Sequence, residues 1–102
     1  MRYLLNRGLK AVTRNYRCRL GEIDLIMRDG DTLVFVEVRL RSHSRFANAA
    51  ESITAAKRRR LVAAAKHYLA GVQPIPPCRF DAILFDGRDD GGISWLTNIM
   101  EE

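Results

Sequence analysis

The sequence predicts an α/β fold of the α+β sandwich type, with a mixed β-sheet of about five strands flanked by helices. The Asp29-Gly30 pair between two apolar runs indicates a β-hairpin, because both residues tolerate the positive φ of tight turns. The run from Leu33 to Val38 is nearly all apolar, which is typical of a central strand covered on both faces. The Ala-rich segment from about Asn48 to Ala70 has helix formers and apolar residues at helical spacing.

Two further elements are predicted before the hairpin. Met1 to Leu9 has the pattern of a helix end, which Gly8 terminates in a left-handed conformation. Lys10 to Leu20 follows as a strand whose later positions alternate between apolar and basic residues. From Gly21 onward the apolar positions change parity, so we expect a bulge or bend there that re-aims the following side chains.

The segment after the long helix predicts two more strands. Gly71 ends the helix, and Arg79 to Phe85 reads as a buried strand. Asp86 to Gly92 is an acidic, glycine-rich turn, and Ile93 to Ile99 is expected to form a final edge strand. The predicted order is therefore a helix, three strands, a helix and two strands.

Length and composition predict a single domain that spans residues 1–102 of the 102-residue chain. Its 47% hydrophobic and 28% charged content is that of an ordinary soluble protein. No apolar run approaches the ~18 residues of a membrane span, and no signal-peptide pattern opens the chain. Cys18 and Cys78 are too few for a disulfide framework. We therefore expect a cytoplasmic protein with reduced thiols in or near the core.

The basic character of the chain favours an anionic partner. The net charge is +5 and the pI about 9.8, and nucleic acid is the commonest partner of such domains. Phosphate contacts are expected from a loop that also contains an aromatic residue, and from the long helix. The candidates are Arg41, His43 and Arg45 in the loop, and Lys57, Arg58 and Arg60 on the helix. An ordinary polar loop and a solvated helix face are the alternatives.

Lys57 occupies an unusual position for a charged residue. It lies four residues after Ile53 and four before Leu61, on the apolar stripe of the helix. Its ammonium group could reach a carboxylate or a phosphate, or its stem could pack on the core with the ammonium in water. Asn48 with Glu51 resembles a capping box at the start of this helix.

Glu37 interrupts the apolar run of the second hairpin strand. A buried carboxylate usually has a metal or cationic partner, because burying it unpaired is costly. A two-residue loop at Asp29-Gly30 would place Glu22 opposite Glu37 and Asp24 diagonal to it. Arg39, two residues after Glu37, would project from the same face.

Carboxylates so placed repel one another unless a cation lies among them, and hard divalent ions such as Mg²⁺ or Mn²⁺ suit oxygen ligands. Asp24 and Glu37 would hold the metal with help from Glu22, in the arrangement that phosphodiester hydrolysis requires. Arg39 would position a water molecule or stabilise the transition state. The alternative is a solvent-facing strand pair with an exposed Glu37–Arg39 salt bridge, which the surrounding apolar run disfavours.

The residues of the hairpin and helix closely resemble the YraN-like uncharacterised protein family, UPF0102. The matching stretches are Arg14 to Ile26, Val34 to Arg39, the helix positions Lys57, Arg60, Leu61, Ala64, Tyr68 and Leu69, and the later Arg79, Phe80 and Asp81. The resemblance covers nearly the whole chain, and its Gly-Glu-Ile-Asp-Leu-Ile run is specific.

That resemblance implies a restriction-endonuclease-like domain with an active site of the PD-(D/E)xK type. Asp24 then matches the Asp of the motif, Glu37 its second acid, and Arg39 the position of its Lys. An Arg stays protonated and cannot act as a general base, although it can orient water or a phosphate. The N-terminal helix is shorter than is usual in the family, which makes a homodimer a reasonable expectation.

These observations support three hypotheses about function. The first is a Mg²⁺- or Mn²⁺-dependent nuclease that acts on DNA or RNA. The second is a catalytically degenerate nucleic-acid-binding module, and the third is a basic accessory domain that docks an acidic protein. Asp81 is interpreted as structural, with Arg79 or another buried cation as its partner. Neither His43 nor His67 has metal-ligand spacing, so both are interpreted as structural or exposed.

Overall fold

The computed structural model describes residues 2–40, 54–85 and 92–100. Within these ranges, five strands form one mixed sheet in the order β1-β2-β3-β4-β5, in which only the β3–β4 pair is parallel. The α+β fold predicted from the sequence is thus confirmed. The elements of the described residues are α1 (Arg2–Leu5), β1 (Lys10–Cys18), β2 (Gly21–Asp29), β3 (Thr32–Leu40), α2 (Ala55–Leu69), β4 (Cys78–Phe85) and β5 (Ile93–Leu96).

The β2–β3 turn differs by one position from the predicted loop. Asp29 pairs with Thr32, so the two central residues are Gly30 and Asp31. Gly30 has a φ of 60°, and glycine at the first central position is the requirement of a type II′ hairpin turn. The predicted loop at Asp29-Gly30 is therefore wrong.

The change of turn alters which acids face each other. The observed pairs run from Asp29 opposite Thr32 to Leu25 opposite Val36. Continued by one residue, this register brings Asp24 opposite Glu37, so the predicted pairing of Glu22 with Glu37 is wrong. The expected partner of Glu37 moves by two positions, which is one full side-chain period. The predicted alternation of β2 is nevertheless broken at Asp24, because Ile23 and Leu25 pack in clusters on opposite faces of the sheet.

Of the bulge or bend expected at Gly21, the bulge is wrong, because the irregularity of the β1–β2 ladder lies between Ala11 and Thr13. Gly21 instead begins β2 directly after a tight turn, opposite Cys18. A Cβ at Gly21 would lie 2.7 Å from the carbonyl oxygen of Arg60 in α2. Glycine is therefore required here by the close approach of two backbones.

Both faces of the sheet are covered, which explains the continuous apolar run of β3. On one face α2 contributes Leu61, Ala64 and Ala65 to a buried cluster with Ile23, Ile26, Leu33 and Phe35. On the other face Leu4 of α1 joins Leu9, Leu25, Met27, Val34, Val36 and Ile83. Successive residues of β3 alternate between these two clusters.

Helix α2 begins later than predicted. Thr54 is its N-cap, and the Thr54 side chain accepts a hydrogen bond from the Lys57 backbone N–H at 3.1 Å. The predicted start at Asn48 is therefore wrong, and the proposed capping box of Asn48 and Glu51 lies outside the described residues. None of the helices in the described ranges is long and apolar enough to cross a membrane.

A second buried acid, Asp81, ties the edge strand β5 to the sheet. Asp81 is fully buried, and its carboxylate accepts hydrogen bonds from Arg79 Nε (3.2 Å), Trp95 Nε1 (3.0 Å) and the backbone N–H of Asn98 (3.0 Å). Arg79 also reaches Asp29 Oδ2 at 2.9 Å. The predicted Arg79–Asp81 pair is confirmed, and the role of Asp81 is structural.

The Asp81 network predicts an asymmetric response to losing either of the two acids that contact Arg79. Asp81→Ala should lower the free energy of unfolding by about 3–5 kcal/mol, because it leaves a cation and two N–H donors without their acceptor. Asp29→Ala removes a half-exposed partner of the same arginine and should cost no more than about 1 kcal/mol. Urea unfolding of both variants measures the difference, and equal costs would contradict this account. Asp81→Asn keeps one acceptor oxygen, so it should lower the free energy of unfolding less than Asp81→Ala does.

Candidate active site

Asp24 and Glu37 meet where β2 and β3 stop pairing. The last pair of the β2–β3 ladder is Leu25 with Val36. At the next position the Asp24 side chain takes the place of a backbone acceptor, because its Oδ2 receives a hydrogen bond from the Val38 N–H at 2.9 Å. Asp24 also interacts with Glu37, because it raises the pKa of the Glu37 carboxyl group. Two acids from neighbouring strands thus lie close together.

The Glu37 carboxyl group is held in a strongly perturbed state. Its residue is only 4% exposed, and this burial is the largest cause that raises the pKa of Glu37 from 4.5 to about 7. The hydrogen bond with Asp24 and the negative charge of Asp24 raise this pKa further, whereas Lys57 lowers it. Near neutral pH the Glu37 side chain therefore exchanges between its protonated and ionised forms.

Lys57 provides the cation nearest to this pair among the described contacts. Its Nζ lies 3.4 Å from Glu37 Oε2, and its side chain is 22% exposed. The N-cap at Thr54 sets the start of α2, and Leu61 one turn further along is buried in the core. Lys57 therefore projects from the sheet-facing side of the helix. Of the two positions considered from the sequence, the structure shows the one in which the ammonium reaches a carboxylate.

The other predicted site residues lie at different places. Glu22 is exposed and pairs with Arg17, whose Nε lies 3.4 Å from Glu22 Oε2. Arg39 is partly buried on β3, two residues beyond Glu37. Within residues 2–40, 54–85 and 92–100, no group of three or more His, Cys, Asp or Glu side chains lies close enough to hold a metal ion. The structure therefore brings Asp24 and Glu37 together, with Lys57 beside them and Glu22 apart.

The candidate nucleic-acid contacts divide into three groups. Arg41, His43 and Arg45 lie outside the described residues. Lys57 and Arg60 line a cavity between α2 and the β1–β2 turn. Arg58 lies on a different surface of the helix, beside Arg59. The helix therefore does not present its basic residues as one patch.

Sequence reasoning missed one strained residue beside Asp24. Asn15 has a φ of 51° in the middle of β1, and with Arg14 it lines a cavity that Asp24 also lines. Asparagine is one of the few residues that adopt this left-handed conformation, so an Asn within a strand was the available signal.

His67 and the two cysteines lie away from the acid pair in their contacts. The hydroxyl group of Tyr16 hydrogen-bonds Nδ1 of His67, which agrees with a structural role for this histidine. Cys18 and Cys78 are both free thiols. Cys18 packs against the cluster under α2, but Cys78 is exposed, so its predicted place in or near the core is wrong.

The perturbed Glu37 carboxyl group predicts a pH-dependent stability in the metal-free protein. Because its folded-state pKa is the higher one, the folded state binds more protons between about pH 4.5 and 7, and the free energy of unfolding falls as pH rises through that window. The side chain of Glu37→Gln cannot ionise, so this variant does not lose stability in this way. Its free energy of unfolding relative to wild type should therefore rise by about 2–3 kcal/mol from about pH 5 to pH 8.

Urea unfolding in the presence of a chelator measures this difference at the two pH values. Glu22→Gln is the matched control, since it removes an exposed acid from the same hairpin. The account is wrong if Glu22→Gln shows the same gain, or if Glu37→Gln keeps the wild-type dependence on pH.

Comparison with known proteins places the chain in a family. The model of "Uncharacterised protein family UPF0102" matches residues 1–85. A UPF0102 protein of Nitrosomonas europaea is 55% identical over 100 residues, which cover 98% of this chain and 85% of the relative. A UPF0102 protein of Methylobacillus flagellatus is 57% identical over 95 residues, with 93% and 83% covered. The chain therefore belongs to the uncharacterised protein family UPF0102.

Proposed function

We propose that this protein is a metal-dependent nuclease, which hydrolyses phosphodiester bonds of DNA or RNA with Mg²⁺ or Mn²⁺. The observation that carries the proposal is the buried Glu37, with the Lys57 ammonium group 3.4 Å away and Asp24 beside it, held by the Val38 N–H. The proposal includes a restriction-endonuclease-like fold, in which Asp24 and Glu37 are the acids of a PD-(D/E)xK motif. Arg39 then occupies the position of the motif lysine.

The two acids fit a hard divalent cation. They are oxygen donors on neighbouring strands, and their mutual repulsion helps to raise the pKa of Glu37. A divalent cation between them would remove that repulsion, and carboxylates are the ligands that Mg²⁺ prefers. Asp24 and Glu37 would hold the ion, whose chemistry would be to activate water and to neutralise negative charge on the phosphate.

The protein groups around the acids have separate tasks. The N–H of Val38 fixes the orientation of Asp24 through its hydrogen bond to Oδ2. Lys57 stabilises ionised Glu37 and brings a positive charge to the place where a phosphate would enter. Arg39 stays protonated and can orient water or a phosphate oxygen, but it cannot accept a proton.

The position of Lys57 favours catalysis over a purely binding role. Arg39 in place of lysine was the main reason to consider a catalytically degenerate nucleic-acid-binding module. A lysine nevertheless reaches Glu37 from α2, so the site combines two acids and a lysine although the lysine comes from a different element. The catalytic hypothesis is therefore the stronger one, and the binding module and the accessory domain become outcomes of the test.

Cleavage assays test the proposal directly. Branched, single-stranded and duplex DNA and RNA are incubated with the protein and Mn²⁺, and cleavage should be lost on chelation. Asp24→Ala should reduce the rate by about 10²-fold or more, the scale expected for losing a catalytic group. Asp31→Asn removes an exposed acid from the β2–β3 turn, and its rate should stay within about twofold of wild type.

Three results would contradict the nuclease. Absence of cleavage with a salt-sensitive gel shift would identify a non-catalytic nucleic-acid-binding module, because phosphate contacts dominate such binding. Absence of any shift at low salt would favour the accessory domain with an acidic protein partner. If the Asp24→Ala variant still cleaves, the active site lies elsewhere in the protein or the activity belongs to a contaminant.

A further inference from the structure

A basic cleft lies beside the acid pair, between the β1–β2 turn and helix α2. Its volume is about 410 Å³, which is within the range of small-ligand sites. The charged residues that line it are Arg17, Arg19, Glu22, Lys57 and Arg60. Arg17 and Arg19 had no role in the candidate site, although the alternation of β1 had already indicated a basic strand face.

The two walls of the cleft are held together by a backbone contact. A Cβ at Gly21 would come within 2.7 Å of the Arg60 carbonyl oxygen, so the turn and the helix approach as closely as glycine permits. This contact sets the position of Arg19 on one wall relative to Arg60 on the other. The fold therefore fixes the backbone positions from which the charged side chains of the cleft extend.

The charge of the cleft is suited to an anion. Four cationic side chains and one carboxylate line it among the described residues. The carboxylate, Glu22, pairs with Arg17 at 3.4 Å, and the two side chains are 51% and 75% exposed. Such an exposed ion pair contributes little, so an incoming phosphate can replace Glu22 as the partner of Arg17 at small cost.

Lys57 connects the cleft to the acid pair. It lines the cleft, and its Nζ also lies 3.4 Å from Glu37 Oε2. A polyanion that lies along Arg17, Arg19 and Arg60 would consequently meet Lys57, which contacts Glu37 of the acid pair. The cleft thus leads to the site at which the proposed hydrolysis takes place.

We infer that this cleft binds the phosphate backbone of the nucleic-acid substrate and guides it to Asp24 and Glu37. The inference rests on the proposed function for the chemical class of the ligand. It adds Arg17 and Arg19 as phosphate-binding residues, which guanidinium groups suit because they bind phosphate oxygens through paired N–H donors. Because these residues contact phosphates rather than bases, binding should depend only weakly on the nucleotide sequence.

A matched pair of double variants tests the cleft. Arg17→Ala with Arg19→Ala removes two charges from the cleft, and Arg59→Ala with Lys66→Ala removes two exposed charges from a different surface of α2. Fluorescence anisotropy with labelled single-stranded and duplex DNA and RNA, in chelator and over a salt series, measures affinity without cleavage. Circular dichroism melting checks that each variant is folded.

The cleft variant should bind about tenfold or more weakly, and its slope of log affinity against log salt should fall by about 1–2. The control should stay within about threefold of wild type. Equal losses in the two variants, no loss in the cleft variant, or no binding by wild type at low salt would overturn the inference. Tighter binding of an acidic peptide with the same dependence on Arg17 and Arg19 would assign the cleft to a protein instead.

The outcome separates this inference from the proposed function. If the cleft variant loses binding but wild type never cleaves, the cleft assignment stands and the nuclease proposal fails. If wild type cleaves with Mn²⁺ and the cleft variant binds normally, the nuclease proposal stands and the substrate takes another path.

Discussion

The burial of the Glu37 carboxylate in an apolar sheet is the constraint on which the other features of the site depend. Glu37 lies on β3 between two valines whose side chains face the opposite cluster, and it is 4% exposed. An isolated charge at this position would be strongly unfavourable. The fold offsets that cost with one cation, Lys57, whereas the neighbouring Asp24 raises the pKa of Glu37 and so favours its protonated form. Both neighbours require a particular arrangement of the backbone.

These arrangements come from two features of the topology. The β2–β3 ladder ends before Asp24. The Asp24 side chain accepts a hydrogen bond from the Val38 N–H, which keeps it beside Glu37. The chain that links the parallel pair β3 and β4 contains α2, and this helix packs across the sheet and brings Lys57 to the same place. Gly21 permits the close approach of the β1–β2 turn to α2. The acid pair and the basic cleft are thus products of the same packing of helix on sheet.

Features that depend on neighbours in the chain were predictable from the sequence, whereas the pairing of one strand with another was not. The strands and the burial of Glu37 were predictable, because apolar periodicity depends on neighbours in the chain. The hairpin register was not, since Gly30 can occupy either central position of a tight turn and only the ladder itself distinguishes them. The error moved the expected partner of Glu37 by two residues, from Asp24 to Glu22.

Contacts between distant elements were beyond sequence reasoning. The apolar stripe placed Lys57 on the inner side of α2, but whether its ammonium met a carboxylate or water depended on how the helix crosses the sheet. The helix start was misjudged because Asn and Glu are favourable cap residues, whereas the observed cap is Thr54. The separation of Glu22 from Glu37 likewise follows from the true register and from its ion pair with Arg17.

Calorimetric titration with Mn²⁺ tests most directly whether Asp24 and Glu37 form a metal site. The account predicts submillimolar binding by wild type that is lost in both Asp24→Asn and Glu37→Gln. Asp31→Asn removes an exposed acid from the β2–β3 turn, at the other end of the hairpin, and should bind as wild type does. Absence of binding by wild type at millimolar Mn²⁺, or binding that survives in both site variants, would contradict it.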